Sequence, residues 1–264
     1  MTADKIDTAL GIGVQTTSTD QGRKPKRAIL LSAGRGTRLG NATRDRPKCL
    51  IPFSGKTLVE WQIETLRACG IEDIVVITGF GAPMVADQVG ATATTFYNPF
   101  YQVADNLASL WLARAFMDRD FIVLNGDTLV DTFVVQTLID GATAPISVTV
   151  ARKPAYDEDD MKVTLDGTRV LAVGKKLTPE VTNGESIGML AFKGEGVMLF
   201  REALETAMGD PSGVKNWYLS VVDLLARQSV VGAVEVPVGH SAEVDYPADL
   251  EIAEALTATW AASA

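Results

Sequence analysis

The segment from Arg27 to Leu50 constrains the fold of this 264-residue chain more than any other part. It opens with the apolar run Ala28-Ile29-Leu30-Leu31, continues as Ser32-Ala33-Gly34-Arg35-Gly36-Thr37-Arg38-Leu39, and then reaches Pro47-Lys48-Cys49-Leu50. An apolar run that ends abruptly in small residues and glycines is typical of a buried parallel strand that delivers a loop to the carboxyl edge of a sheet. We therefore predict an α/β fold with a ligand-binding loop directly after its first strand.

The composition of that loop indicates a phosphate ligand. Glycines let backbone N–H groups approach an anion, and successive N–H groups in a tight turn form an anion-binding concavity. Arg35, Arg38 and Lys48 add three cations on one short segment. Such cations suit a polyphosphate whose negative charge grows on a leaving group.

Two common phosphate-binding motifs do not fit. A dinucleotide fingerprint that starts at Gly34 requires glycine at position 39, where the chain has Leu39. Gly55-Lys56-Thr57 has the ending of a P-loop, but the upstream glycine of that motif would fall on Leu50. The loop is therefore of a third kind.

The remaining pattern, L-S-A-G-R-G-T-R-L followed by P-K-C-L, closely resembles the signature of the nucleotidyltransferase family that joins a nucleoside triphosphate to a sugar phosphate or phospho-alcohol and releases pyrophosphate. The resemblance implies a Rossmann-like, mostly parallel sheet with helices on both faces, of the nucleotide-diphospho-sugar transferase type, and a smaller β-rich acceptor-side extension. It also implies catalytic roles for Arg38 and Lys48. The residues that it implies in nucleotide binding on this loop are Leu31, Ala33, Gly34, Arg35, Gly36 and Thr37.

Hydrophobic patterning places the other elements. We predict strands at residues 28–31, 74–77, 94–97, 121–124, 146–151, 161–165, 169–173 and 186–192, and helices at 57–68, 83–89, 105–117, 217–225 and from 249 onward. Residues 1–26 lack periodicity, and we expect a flexible arm. Residues 27–264 are interpreted as a single domain, with a nucleotide-binding half at 27–140 and an acceptor-binding half at 141–264. The basic cluster that ends at Arg27 is interpreted as a solvated lead-in.

Asparagines before the third predicted helix carry a finer resemblance. Tyr97-Asn98 and the run from Asn106 to Leu110 resemble the subset of the family that uses phosphocholine or similar phospho-alcohols. There the equivalent element lies near the nucleotide base, which implies nucleotide binding by Asn98, Asn106 and Ser109. The alternative is that Asp105 or Asn106 merely caps the helix, and one residue can do both.

Two aspartates are candidate metal ligands. Asp127 follows a buried strand, at the edge where such sheets bind ligands. It resembles the metal-binding Asp of the family, and Asp245 in Glu243-Val244-Asp245 resembles the second ligand, so the resemblance implies a Mg²⁺ cofactor. The alternatives are a plain turn or helix cap for Asp127 and a helix cap before Pro247 for Asp245.

The acceptor side is indicated by three further segments. Those around Asp160, Lys175 and Glu185 resemble the acceptor-phosphate region, where one lysine grips the phosphate. Lys175 is the preferred lysine and Lys176 stays open, while Glu185 would orient a lysine or the acceptor. Asp105 and Asp160 would suit a cationic head group, and so would the aromatic pair Trp217-Tyr218, for which a core position is the alternative.

Composition excludes several classes. A net charge of -9 argues against a nucleic-acid binder, and no apolar run approaches the length of a membrane span. The first 21 residues lack the apolar core of a secretory signal, and two cysteines with one histidine form neither a disulfide framework nor a zinc cluster. We therefore expect a cytoplasmic protein. His240 is interpreted as structural or surface, and a homodimer is compatible with a sequence that does not determine the oligomeric state.

The function that this resemblance implies is that of a cytidylyltransferase. Its expected substrates are CTP and a small phosphorylated acceptor such as phosphocholine, 2-aminoethylphosphonate or inositol phosphate. One alternative is a sugar-1-phosphate nucleotidyltransferase that uses UTP, dTTP or GTP. Another is a non-catalytic nucleotide-binding regulatory module, which the presence of the arginine, the lysine and both aspartates disfavours.

Overall fold

A computed structural model describes residues 24–263 of the chain, so most of the predicted flexible arm lies outside the described residues. The strands are β1 (Arg27–Ser32), β2 (Pro52–Phe53), β3 (Lys56–Thr57), β4 (Asp73–Thr78), β5 (Thr94–Tyr97), β6 (Phe121–Asn125), β7 (Thr128–Val130), β8 (Ile146–Ala151), β9 (Lys162–Asp166), β10 (Arg169–Val173), β11 (Gly184–Phe192), β12 (Val231–Val236) and β13 (Ser241–Glu243). The helices are α1 (Leu58–Ala68), α2 (Ala82–Val89), α3 (Asn106–Leu112), α4 (Thr132–Gly141), α5 (Glu195–Met208), α6 (Tyr218–Ala226) and α7 (Pro247–Ser263).

Nine of these strands form one sheet, in the order β5-β4-β1-β6-β11-β8-β12-β10-β9. β5, β4, β1 and β6 run parallel, and β11 is inserted antiparallel between β6 and β8. β8 and β12 are again parallel to each other. The predicted mostly parallel sheet is therefore confirmed, and it continues from the first half of the chain into the second.

Helices cover both faces of the sheet, as predicted. Along β1 the side chains alternate: Ile29 joins the core cluster that holds residues of α3, α5 and α6, while Ala28 and Leu30 join the cluster under α1, α2 and α4. This alternation follows from the two-residue repeat of a strand that is buried on both faces. The apolar run at residues 28–31 thus contributes side chains to the core on both faces of the sheet.

The acceptor-side strands curl back on themselves. β9 pairs antiparallel with β10 and also with the start of β11, through Gly184–Val163 and Glu185–Lys162. The predicted β-rich extension is therefore a curled end of the large sheet. Its hollow is lined in part by Asn125 and Asp127, at the carboxyl end of β6.

The structure differs from the sequence-based expectations in three smaller respects. The helix that starts at Asn106 ends at Leu112 and tightens into a 3₁₀ turn, Ala113–Phe116, instead of continuing as α-helix to residue 117. Arg27, expected in a solvated lead-in, is only 9% exposed, because Asp73 and Asp118 bind its guanidinium. Helices α4 and α5 were not among the predicted elements.

None of the helices described between residues 24 and 263 is both long and apolar enough to cross a membrane.

Candidate active site

Two cavities meet at the carboxyl ends of β1 and β6. The first, of about 430 Å³, is lined by the loop after β1 and by the start of α3, and we call it the nucleotide cavity. The second, of about 650 Å³, lies in the curled end of the sheet, and we call it the acceptor cavity. The residues that line both are Arg38, Asn106, Asn125, Asp127 and Asp245.

The loop after β1 owes its shape to glycine. Gly36 has φ +73°, in the left-handed region, and a Cβ there would lie 2.8 Å from Cβ of Lys48. Its carbonyl accepts hydrogen bonds from the Leu39 N–H and the Thr43 hydroxyl. Gly126 is confined in a different way, since a Cβ would lie 2.3 Å from the Leu31 carbonyl oxygen. Glycine thus lets the loop pack against Lys48 and lets the turn after β6 pack against β1.

Lys48 joins the two predicted metal ligands. Its ammonium donates to Asp127 Oδ2 at 2.9 Å and to Asp245 Oδ1 at 2.6 Å. Its side chain is only 12% exposed. Burial opposes its charge, but the two carboxylates outweigh burial and hold the pKa of Lys48 above its ordinary value. Three residues far apart in sequence therefore converge on one point.

Glu243 completes an acidic cluster that sequence reasoning missed. One ligand oxygen each from Asp127, Glu243 and Asp245 lies within 4.8 Å of the others. The surrounding protein and the charges of Asp127 and Asp245 raise the pKa of Glu243 to about 8. Because residues two apart in an extended segment share a face, the spacing of Glu243 and Asp245 was a usable signal.

A ribbon of two short strands positions this cluster. β7 starts directly after Asp127, β13 ends at Glu243, and the two pair antiparallel. The Val244 N–H donates to the Asp127 carbonyl at 2.9 Å. At the other end of the ribbon, His240 Nδ1 lies 2.6 Å from Asp131, the N-cap of α4. His240 is therefore structural in position, as the sequence analysis expected.

Arg38 reaches Asp245 from the turn that follows β1. It donates to Asp245 Oδ2 at 2.8 Å and to the Tyr246 hydroxyl at 2.9 Å. Tyr246 in turn donates to Asp159. The carboxylate of Asp249, not that of Asp245, accepts from the backbone N–H groups of Asp245 and Tyr246 at the start of α7. Asp245 is thus directed to Lys48 and Arg38 and does not cap the helix.

Most of the predicted nucleotide-binding residues line the nucleotide cavity. Two do not: the guanidinium of Arg35 lies over the Phe80 ring at 4.8 Å, and Asn98 is fully buried behind Ser109, to whose Oγ it donates at 3.0 Å. The predicted residues that do line it are Leu31, Ala33, Gly34, Gly36, Thr37, Asn106 and Ser109.

The start of α3 distinguishes the alternatives for Asp105 and Asn106. Asp105 occupies the N-cap position, but its side chain makes no capping hydrogen bond. It lines the nucleotide cavity and not the acceptor cavity, where the sequence placed it. Asn106 Oδ1 accepts from the Tyr218 N–H at 2.9 Å and thereby ties α3 to α6. Burial raises the pKa of Asp105.

The acceptor cavity holds most of the remaining predicted residues. Asp160, Lys175, Glu185 and Trp217 line it. The ammonium of Lys175 lies 4.8 Å from the centre of the Trp217 ring, whereas Lys176 is exposed and is not a lining residue. Tyr218 is fully buried, and its hydroxyl donates to Asn125 Oδ1 at 3.1 Å, so it reaches the site only through Asn125.

Lys153 joins the two acidic residues of this cavity, and no motif signalled it. Its ammonium lies 2.7 Å from Asp160 and 2.8 Å from Glu185. Burial, together with the neighbouring Asp160, raises the pKa of Glu185 despite the opposing charge of Lys153. For Asp160, the contact with Lys153 outweighs burial and lowers the pKa. The acceptor cavity therefore contains an internal ion-pair network.

Comparisons with known proteins match most of the chain. A family model described as the MobA-like NTP transferase domain matches residues 28–211. CTP:phosphoglutamine cytidylyltransferase of Campylobacter jejuni is 26% identical over 251 residues, which cover 85% of this chain and 98% of that protein. CMP-5'-(3-aminopropyl)phosphonate synthase of Streptomyces rubellomurinus is 34% identical over 132 residues, but the match covers only 48% of this chain and 20% of that protein.

A solved structure gives the same fold. CTP:phosphocholine cytidylyltransferase from Streptococcus pneumoniae superposes with a TM-score of 0.76 at 21% identity, over 89% of this chain and 100% of that chain. This likeness confirms the predicted nucleotide-diphospho-sugar transferase type of fold.

Proposed function

Because this chain belongs to the family of MobA-like NTP transferase domains, we propose that it is a cytidylyltransferase that transfers CMP from CTP to a small phospho-alcohol or phosphonate and releases pyrophosphate. The predicted membership of a nucleotidyltransferase family is thereby confirmed. The observation that carries the proposal is the convergence of Lys48, Asp127 and Asp245 where the two cavities meet. A transfer between two bound substrates needs its charged groups at such a junction.

The proposed reaction is a direct in-line displacement. A phosphate or phosphonate oxygen of the acceptor forms a bond to the α-phosphorus, and the bond from that phosphorus to the bridging oxygen of the β-phosphate breaks. The electron pair leaves with pyrophosphate. Arg38 and Lys48 supply the positive charge that stabilises the growing charge on the phosphates. The reaction needs no covalent enzyme intermediate.

The acidic cluster fits a hard divalent cation. Its donors are carboxylate oxygens from Asp127, Glu243 and Asp245, which is the chemistry that Mg²⁺ prefers. When bound, Mg²⁺ would offset the repulsion between the nucleotide and acceptor phosphates. The two aspartates and the glutamate would hold it, and Lys48 would then be free to turn from the aspartates toward the phosphates.

The assignment of CTP is supported by the relatives, whose names specify CTP or a CMP product. Within the nucleotide cavity, the loop from Gly34 to Thr37 would hold the phosphates, and Asn106 and Ser109 would contact the nucleoside. Asn98 would act by orienting the Ser109 hydroxyl, to which it donates.

The charge of the acceptor cavity favours an acceptor that carries a cation. Acidic residues outnumber basic ones among the described lining residues, of which the basic ones are Arg38, Lys153 and Lys175. A dianionic phosphate would be repelled there unless the same molecule also carried positive charge. In the proposed complex, the Trp217 ring binds the cationic group of the acceptor, and the ammonium of Lys175 moves from the ring to the phosphate. Phosphocholine and aminoalkylphosphonates meet both requirements.

A pyrophosphate-release assay tests the proposal. Four nucleoside triphosphates are crossed with phosphocholine, 2-aminoethylphosphonate, phosphoglutamine, inositol phosphate and glucose-1-phosphate in the presence of Mg²⁺. We expect release that depends on both substrates, with CTP preferred and a cationic acceptor the most active. Mass spectrometry of the CMP-linked product identifies the acceptor.

Two results would contradict the proposal. Efficient turnover of glucose-1-phosphate with UTP or dTTP would show a sugar-phosphate enzyme instead. Binding of nucleotide without pyrophosphate release for any pair would show a nucleotide-binding module.

A further inference from the structure

Lys162 is a buried lysine at the start of β9, directly after Asp160 and Met161, which line the acceptor cavity. The residue is only 6% exposed. Its ammonium donates to three backbone carbonyls: to Asp157 at 2.5 Å, to Lys175 at 3.0 Å and to Glu158 at 3.4 Å. The hydrogen-bond partners of the ammonium among the described residues are therefore main-chain oxygens.

Those carbonyls belong to the two segments that carry the acceptor-side charges. Asp157 and Glu158 open the run of four consecutive acids that ends at Asp160, and all four line the acceptor cavity. Lys175 lies in the turn after β10, on the opposite side of Lys162 in the chain. One ammonium thus joins an acidic loop to the turn that presents Lys175.

The contacts of Lys162 are unusual for a buried cation. Buried charges usually pair with an opposite charge. Its cross-strand partner Glu185 pairs with Lys153 instead, and no carboxylate among the described residues lies within ion-pair distance of Lys162. The three carbonyls take the place of a counter-ion and solvate the ammonium directly.

We infer that Lys162 is the positioning residue of the acceptor site: its ammonium holds the acidic loop at residues 157–160 and the turn at Lys175 in the geometry that binds the acceptor. This inference rests on the proposed function. Four adjacent carboxylates repel one another, and Lys162 opposes the opening of the loop by holding its main chain at Asp157 and Glu158. A loop held before binding loses less conformational freedom when the acceptor arrives.

Kinetics of Lys162→Met test the role. Methionine keeps the length of the side chain and removes its charge and donors. Residues 157–160 line the acceptor cavity and none of them lines the nucleotide cavity, so we expect the acceptor KM to rise about tenfold or more, while the KM for CTP stays within about twofold. Lys162→Gln keeps two donors without the charge and should give an intermediate acceptor KM. It also serves as the second variant if the methionine variant fails to fold.

Lys193→Met is the matched control. Lys193 also donates to a backbone carbonyl, that of Ala142 at 3.1 Å, but it lines neither cavity. Its substitution should leave both KM values unchanged. A lower kcat with unchanged KM values in Lys162→Met would indicate a loss of folded protein only and would overturn the inference. The same holds if both KM values rise together.

Hydrogen exchange separates this inference from the proposed function. Backbone amides of residues 155–162 and 174–178 should exchange faster in Lys162→Met, and those of residues 33–40 should not. If wild-type protein turns over no acceptor, the proposed function fails, but this exchange pattern still reports whether Lys162 holds the loop. Unchanged exchange in both acceptor-side segments would overturn the inference even in an active enzyme.

Discussion

At the scale of single residues, two basic side chains share the two aspartates of the site. Asp127 and Asp245 both accept hydrogen bonds from Lys48, and Asp245 also accepts from Arg38. The same carboxylates form the acidic cluster with Glu243. The ammonium of Lys48 therefore neutralises part of the negative charge that a divalent cation would neutralise. The role of Lys48 and the binding of a metal by the carboxylates can be tested separately.

Lys48→Ala should lower the rate of pyrophosphate release by about a hundredfold or more, since it removes charge stabilisation at the α-phosphate. A steady-state assay with CTP and the best acceptor measures this. Lys176→Ala, an exposed lysine outside both cavities, is the control and should retain full activity. Near-normal release by Lys48→Ala would remove Lys48 from the proposed chemistry.

Metal binding can be followed without activity. Because a ligand that binds only the folded state stabilises it, Mg²⁺ or Mn²⁺ should raise the melting temperature of the wild-type protein. Asp127→Asn should abolish most of that rise. Asp87→Asn, an exposed aspartate of α2 outside both cavities, should keep it. An equal rise in all three proteins would place the metal elsewhere.

At the scale of elements, short pieces position the acids. The β7–β13 ribbon sets Asp127 against Glu243, and α7 begins two residues after Asp245. α7 is itself anchored on the β2–β3 hairpin: the Glu254 carboxylate accepts from the N–H and hydroxyl of Ser54, whose φ is +47°. Trp260 adds an edge-to-face contact with Trp61. Helix α7 thus packs against residues that follow the loop after β1, and it thereby supports the site.

Glu254→Ala should lower the free energy of unfolding by about 1 kcal/mol, because it removes the acceptor that holds Ser54 in a left-handed conformation. Denaturant unfolding measures the change. Glu251→Ala, on an exposed position of the same helix, should be close to neutral. Equal stability of the two variants would show that α7 is held by its apolar contacts alone.

At the scale of the whole molecule, one chain of contacts spans the cleft between the two cavities. Arg38, after β1, bonds to Tyr246, Tyr246 bonds to Asp159 on the acidic loop at residues 157–160, and Asp159 lies 3.7 Å from Lys175. The hydrogen bond from Tyr246 and the charge of Lys175 hold the pKa of Asp159 below its usual range. The nucleotide side and the acceptor side are therefore in direct contact.

Tyr246→Phe should weaken the coupling between the substrates while it keeps the ring that lies against Arg38. We expect the acceptor KM to depend on CTP concentration in the wild-type protein and to lose most of that dependence in the variant. A cycle with Asp159→Asn checks the path, since the double variant should behave like either single variant. Additive effects would mean that the two residues act separately.

Local sequence determined much of this protein. The apolar run before Gly34 predicts the central strand, and the loop after it can take its shape only with glycine at position 36. Asp127 was predictable at the sheet edge because the polarity of a parallel strand decides which of its ends meets the cleft. These features depend on neighbours in the chain, so the sequence by itself is sufficient for them.

Only the tertiary structure decided which distant charges meet. The sequence predicted a solvated Arg27, but the fold places Asp73 and Asp118 beside its guanidinium. Lys153 carries no sequence signal, and the fold places it beside Glu185 of β11. Lys162 lies in a segment that resembles the acceptor-phosphate region of the family, but its ammonium donates to backbone carbonyls. The physical reason is that electrostatic partners are selected by distance in space, and that distance is set by sheet order rather than by position in the sequence.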